Sequence, residues 1–154
     1  MAAVKSVPEG YHSATPYMTV RDAAAALAFY KKAFGAEELF RLTEPGGRIG
    51  HAEFRIGDSP IMISDEYPDF GALSPAALGG SPIKMMLYVA DCDAAVKRAV
   101  EAGATVLRQP ADQFYGDRTA MVADPFGHGW YLQTRIEEVS PAEMQARYTK
   151  AMGG

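Results

Sequence analysis

His51 and Glu53 stand two residues apart in the segment Gly50 to Ile56. In a strand such a pair projects from one face, and an imidazole beside a carboxylate can pass a proton or hold a metal ion. His12 or His128 would have to swing in to complete a metal site. The plainer reading, which we favour for an isolated pair, is two polar residues on a wet or dimer-contacting face. His128 lies in a turn and is expected at the surface. Lys84 could act as a base if it were buried in its neutral form, but a lysine amine at a wet cleft edge is the commoner arrangement. Gln113 to Arg118, QFYGDR, sets two aromatics beside an acid and a base. Phe114 and Tyr115 could rim a cleft while Arg118 holds a ligand carboxylate. The alternative, which we prefer, is a turn at Asp117 and Arg118 whose arginine pairs with a neighbouring carboxylate. No Ser/His/Asp arrangement, phosphate-binding glycine loop or dinucleotide fingerprint stands out.

The composition narrows the partners. The chain has 154 residues, of which 48% are apolar, and a formal charge of −4. That suits one compact soluble domain, and without a Lys/Arg run neither nucleic acid nor an anionic membrane surface is an expected partner. One cysteine, Cys92, rules out an intrachain disulfide and a cysteine-cluster metal site. The first residues, MAAVKSVPEGYH, have no apolar core of signal-peptide length, so the expected location is cytoplasmic.

Positioning these side chains falls to elements that the pattern of residues marks out. Residues 1–14 show no period and read as an N-terminal arm. Thr15 to Val20 is rich in β-formers and predicts a strand. Asp22 caps a helix to Phe34, with Ala23, Leu27, Tyr30 and Phe34 as its apolar stripe and Gly35 as its left-handed end. Strands follow at Glu37 to Leu42, Gly50 to Ile56 and Ile61 to Ser64, and residues 65–82 form a loop of the length typical of lids or linkers. From Ile83 the order restarts. A strand through Val89 leads to a helix capped by Asp91 or Asp93, with Val96, Ala99 and Val100 facing the core and Gly103 ending it. Short strands at Thr105 to Arg108 and after Gly116 follow. The turn Asp124, Pro125 and Gly127 then feeds Trp130, Tyr131 and Leu132 into a last strand. Ser140, Pro141 and Glu143 predict a capped terminal helix over 140–154.

The restart is a repeat. Val20-Arg21-Asp22 and its helix, ending AFGAE, match Val89-Ala90-Asp91 and its helix, ending EAGAT, at a spacing of 69 residues. Ile61 to Ser64 maps onto Trp130 to Gln133 at the same spacing. The chain therefore reads as α+β, two tandem βαβββ modules forming a curved mixed sheet, over residues 15–80 (with the long loop) and 81–139. One helix per module covers one sheet face, so the other face must be closed by the second module, a second subunit or a ligand. By the period of two, that open face carries Thr15, Tyr17, Thr19, His51, Glu53, Arg55, Met62, Ser64, Lys84, Met86, Tyr88, Tyr131 and Gln133. Met18, Val20, Phe54, Ile61, Ile63, Met85, Leu87, Val89, Trp130 and Leu132 belong under the helices. A cleft of Tyr and Met with a few convergent polar groups suits a flat, partly apolar organic ligand, although the methionines would equally suit a subunit interface.

The paired modules, the V-R-D-A helix start with FY and AFGAEE, the HAEF strand, the GDR and the DPFGH-x-W segment together resemble the vicinal oxygen chelate superfamily. The likeness is to its glyoxalase/bleomycin resistance group, and within that to the PhnB-like branch, and it runs from about Tyr17 to the terminal helix. The resemblance implies a glyoxalase fold, a homodimer and, in metal-dependent members, one divalent ion held at positions that correspond here to Thr15, Met62, Lys84 and Tyr131, where His, Glu or Gln is usual. None of these four is a good ligand, so the expectation is no metal cofactor, with a divalent ion the less favoured alternative. We therefore expect a small-molecule-binding protein with its ligand in the concave cleft, the candidates being Thr15, Tyr17, His51, Glu53, Met62, Ser64, Lys84, Met86, Tyr88, Phe114, Tyr115, Arg118 and Tyr131. The alternative is a lyase, isomerase or dioxygenase of the same superfamily, using a displaced metal or Lys84 and His51 as acid and base. The sequence leaves open which ligand it takes and whether it is an enzyme.

Overall fold

A computed structural model describes residues 2–154. The chain divides into two compact units, one ending at Ser81 and the other starting at Pro82. In the first unit, strand β1 (Tyr17–Val20) leads to helix α1 (Ala23–Phe34) and strands β2 (Glu37–Thr43), β3 (Ile49–Ile56) and β4 (Ser59–Asp65). Its sheet has the order β1-β4-β3-β2, with β1 parallel to β4 and the other pairs antiparallel. The second unit repeats this with β5 (Lys84–Tyr88), helix α3 (Cys92–Ala102), β6 (Thr105–Asp112), β7 (Asp117–Ala123) and β8 (Gly129–Arg135), in the order β5-β8-β7-β6. Each module is thus βαβββ and closes its own four-stranded mixed sheet.

The local chemistry explains the boundaries. The Asp22 carboxylate accepts from the Ala25 amide at 3.0 Å to start α1, and Gly35, at φ 69°, stops it. Asp91, not Asp93, caps α3. Each helix lays an apolar face on one side of its sheet. In the first unit Tyr30 stacks on Phe54 at 5.3 Å, above the buried Val20, Ile61 and Ile63. In the second, Cys92, Val96 and Ala99 are the buried residues of α3, and Trp130 and Leu132 are buried in β8. Val100, expected to face the core, is 44% exposed, because the i, i+4, i+7 stripe from Cys92 leaves it outside. The Cys92 thiol donates to the Leu132 carbonyl at 3.1 Å, and burial pushes its pKa up, so it packs rather than reacts.

The loop after β4 is pinned rather than free. A 3₁₀ turn (Pro68–Phe70) and a one-turn helix, α2 (Pro75–Leu78), lie within it. Asp65 at its start accepts from the Ala23 and Ile49 amides, each at 2.7 Å, and the Tyr67 hydroxyl donates to Glu44 at 2.9 Å. The terminal helix, α4 (Pro141–Ala151), is capped by the Ser140 hydroxyl, which accepts from the Glu143 amide at 3.2 Å. No helix among the described residues is long and apolar enough to cross a membrane.

Candidate functional site

Two arrangements of side chains stand out, one in each unit. In the first unit the register sets Tyr17 beside Met62, Met62 beside Glu53, and Glu53 beside Phe40, so these residues share the face turned away from α1. On it the Tyr17 hydroxyl meets His51 Nδ1 at 2.8 Å, His51 Nε2 meets the Glu53 carboxylate at 2.6 Å, and the Tyr11 hydroxyl donates to the other Glu53 oxygen. The arm thus reaches the sheet through Tyr11. The His51 ring lies between those of Tyr17 and Phe40, at 5.4 and 5.8 Å. Glu53 is buried. Burial alone would raise its pKa, but hydrogen bonds from His51 and Tyr11 prevail and hold it below the usual carboxylate range. The Glu53 bond in turn raises the pKa of Tyr11, which stays a donor. Ser64, on the same face, is buried with its hydroxyl on the Asp65 carbonyl at 2.9 Å, and Thr15 is half-buried just before β1.

In the second unit a cavity of about 930 Å³ opens between the helix-free sheet face, the loop around Phe114 and α4. Met86, Tyr88, Phe114 and Tyr115 line it, and α4 adds Met144 and Tyr148. Its floor is polar and buried. Gln133 donates to Asp117 at 2.9 Å, and the Thr119 hydroxyl donates to Gln133 at 3.3 Å. Arg147 of α4 bonds Glu137 at 2.7 and 2.9 Å and the Phe114 carbonyl at 3.1 Å, fixing the helix against the rim. Tyr131 is half-buried beside Met86, and Lys84 is exposed opposite Gly129; neither lines the cavity.

One placement, that of Arg118, follows the preferred of its two sequence readings, and one, that of His128, differs from expectation. Arg118 does not enter the cleft: alternation along β7 turns it to the helix side, where it pairs with Asp93 at 2.6 Å and Asp112 at 2.9 Å, and Asp117 faces the cavity instead. His128 is buried, not exposed. Asp124 Oδ1 accepts from the amides of Phe126 and His128 and Oδ2 from the Trp130 indole, which draws the turn inward. His128 Nδ1 has no partner, and burial lowers its pKa despite the nearby Asp124 charge. Sequence reasoning also missed α4 as a wall and Tyr11 as a donor. The i, i+4 pair Met144 and Tyr148 was the available signal for the wall.

The chain belongs to the Glyoxalase/Bleomycin resistance protein/Dioxygenase superfamily, whose profile matches residues 12–132. An uncharacterized protein of Mycobacterium tuberculosis is 44% identical over 135 residues, which cover 86% of this chain and 79% of that protein. The anthracycline biosynthesis protein DnrV of Streptomyces peucetius is 36% identical over 101 residues, 66% of this chain and 31% of that protein. Among solved structures, a gene product of Arabidopsis thaliana aligns with a TM-score of 0.65 at 28% identity, over 79% of this chain and 98% of that one.

Metal-dependent members of such a family need a ligand set that these residues do not supply. Thr15 and Met62 in the first unit, and Lys84 and Tyr131 in the second, offer a hydroxyl, a thioether, an ammonium and a phenol, a poor set for a divalent ion. Both ring nitrogens of His51 are already hydrogen-bonded. Among the described residues no three His, Cys, Asp or Glu side chains gather as a metal-binding group.

Proposed function

We propose that the protein binds a flat, partly aromatic small molecule in the cavity of the second unit, without the metal centre of its family. The observation that carries this is the cavity itself. Its walls are Tyr, Phe and Met, and its floor is a buried amide and carboxylate that can fix the orientation of a polar substituent. The name of the Streptomyces relative supports the same class, since anthracyclines are flat polycyclic aromatics. We assign the chain to the PhnB-like branch on its V-R-D-A, AFGAEE and DPFGH segments, and read the working form as a cytoplasmic homodimer. The exposed Leu42 and Leu107, on the edge strands β2 and β6, support a second copy as a cover.

Titration calorimetry with an anthracycline as probe, together with mass spectrometry of ligand carried through purification, tests the reading. Saturable binding is expected, weakened at least about tenfold in Tyr148→Ala, the loss typical of one well-packed aromatic contact. No binding, or equal affinity in Tyr148→Ala, Met144→Ala and the parent protein, would remove the cavity from consideration.

A further inference from the structure

The first unit carries a hydrogen-bonded chain that ligand binding in the second does not use. Glu53, held ionised, can only accept, so His51 Nε2 bears the hydrogen at the 2.6 Å contact. In a neutral ring Nδ1 is then a lone pair, and the 2.8 Å contact is a Tyr17 O–H donating to it. Burial increases from one end of the chain to the other. Tyr17 is 52% exposed, the His51 side chain 25% and the Glu53 side chain 10%. Tyr11 seals the far side of Glu53, and the His51 ring is fixed between two aromatic rings. An oriented imidazole with a buried carboxylate behind it and an exposed hydroxyl in front is the arrangement that activates a hydroxyl for proton transfer.

We infer that Tyr17, His51 and Glu53 form a proton-transfer relay, with Tyr17 the catalytic residue that meets the substrate, His51 the base that receives the proton through it, and Glu53 the residue that positions His51. The substrate class is a small, largely apolar molecule with an acidic C–H or O–H, lodged against Tyr17, Met62 and Phe40. In the forward step the Tyr17 oxygen takes a proton from the substrate while its own hydrogen passes to His51 Nδ1. The substrate is left as its conjugate base, His51 becomes an imidazolium facing Glu53, and the reverse transfer restores both. No free phenolate forms. The net base is the imidazole, the side chain suited to proton transfer near neutral pH. The relay belongs to the first unit alone, so it stands or falls separately from the cavity proposal.

Methanesulfonyl fluoride, which has no aromatic ring for the cavity of the second unit to hold, is the probe. Attack by a phenol oxygen forms an O–S bond, breaks S–F and releases fluoride, and the phenol proton passes to the relay. Peptide mapping by mass spectrometry reads each tyrosine in the intact protein. Tyr17 should be modified about tenfold or more faster than Tyr88 and Tyr148, which are 70% and 47% exposed, in line with the usual gain from a positioned base. His51→Gln and Glu53→Gln should each remove most of that advantage and leave the Tyr88 rate as it was. Equal rates at Tyr17 and Tyr88, or a Tyr17 rate unchanged in His51→Gln, overturns the relay. If Glu53→Gln fails to fold, nitrogen NMR of the parent protein decides in its place. The relay requires His51 hydrogen on Nε2, and hydrogen on Nδ1 overturns it.

Discussion

Asp124 and His128 show how one turn sets the chemistry of its neighbours. The carboxylate is occupied by two amides and an indole, so it cannot swing to serve His128, and the imidazole is enclosed with an orphaned Nδ1. Burial lowers the His128 pKa from its ordinary 6.5. As pH falls, the unfolded chain therefore takes up this proton before the folded one. His128 leaves stability intact above about pH 6.5, and withdraws it as pH drops from there towards the depressed folded value. Thermal melts of the parent and His128→Gln between pH 8 and 5 should diverge in this way, the variant losing less on acidification. Parallel curves would show that the ring is not the cause. Nothing in DPFGHGW announced this. A turn histidine is usually wet, and only the inward pull of Asp124 on Trp130 made it otherwise.

At the level of elements, the loop between β7 and its predecessor is fitted more tightly than its glycine suggests. Gly116 sits at φ +93°, and a Cβ there would lie 2.6 Å from the Glu137 carbonyl oxygen. Gly129 has an ordinary φ, and its Cβ would meet the flexible end of Met121 at 2.8 Å. Gly116→Ala should therefore cost on the order of 2–3 kcal/mol in urea unfolding, combining strain with a backbone clash, while Gly129→Ala should cost under about 1 kcal/mol. Equal losses would argue against the close approach. The helices and strands themselves were readable, since Asp22, Asp91, Ser140 and the flanking glycines carry cap signals that need no tertiary context. The role of α4 was not. It buries no residue of its own, and it meets the sheet only across the cavity, whose lining comes partly from β5, some 55 residues upstream. Likewise Tyr11 meets Glu53 across 42 residues, and Arg118 meets Asp93 across 25, separations at which local pattern says nothing about partners.

For the molecule as a whole, the repeat was the most productive signal, because it fixed two modules with one register and made the poor ligand set visible from both. Protein purified without a histidine tag and assayed by elemental analysis should hold less than about 0.1 divalent ion per chain, the outcome expected of such donors. EDTA should leave the thermal midpoint unmoved. A stoichiometric ion that survives dialysis would refute this and point to a ligand set other than these four residues. The same register also lets equivalent positions of the two modules be compared. Tyr17 and Met62 are neighbours in one module and Met86 and Tyr131 in the other, so the phenol and the thioether have changed places between equivalent strands. The helix-facing rows kept their oiliness in both copies, because packing penalises any departure. The facing-away rows were under no such obligation. One repeated frame therefore carries two unlike sets of side chains, a hydrogen-bonded Tyr17–His51–Glu53 chain in the first module and an aromatic cavity in the second.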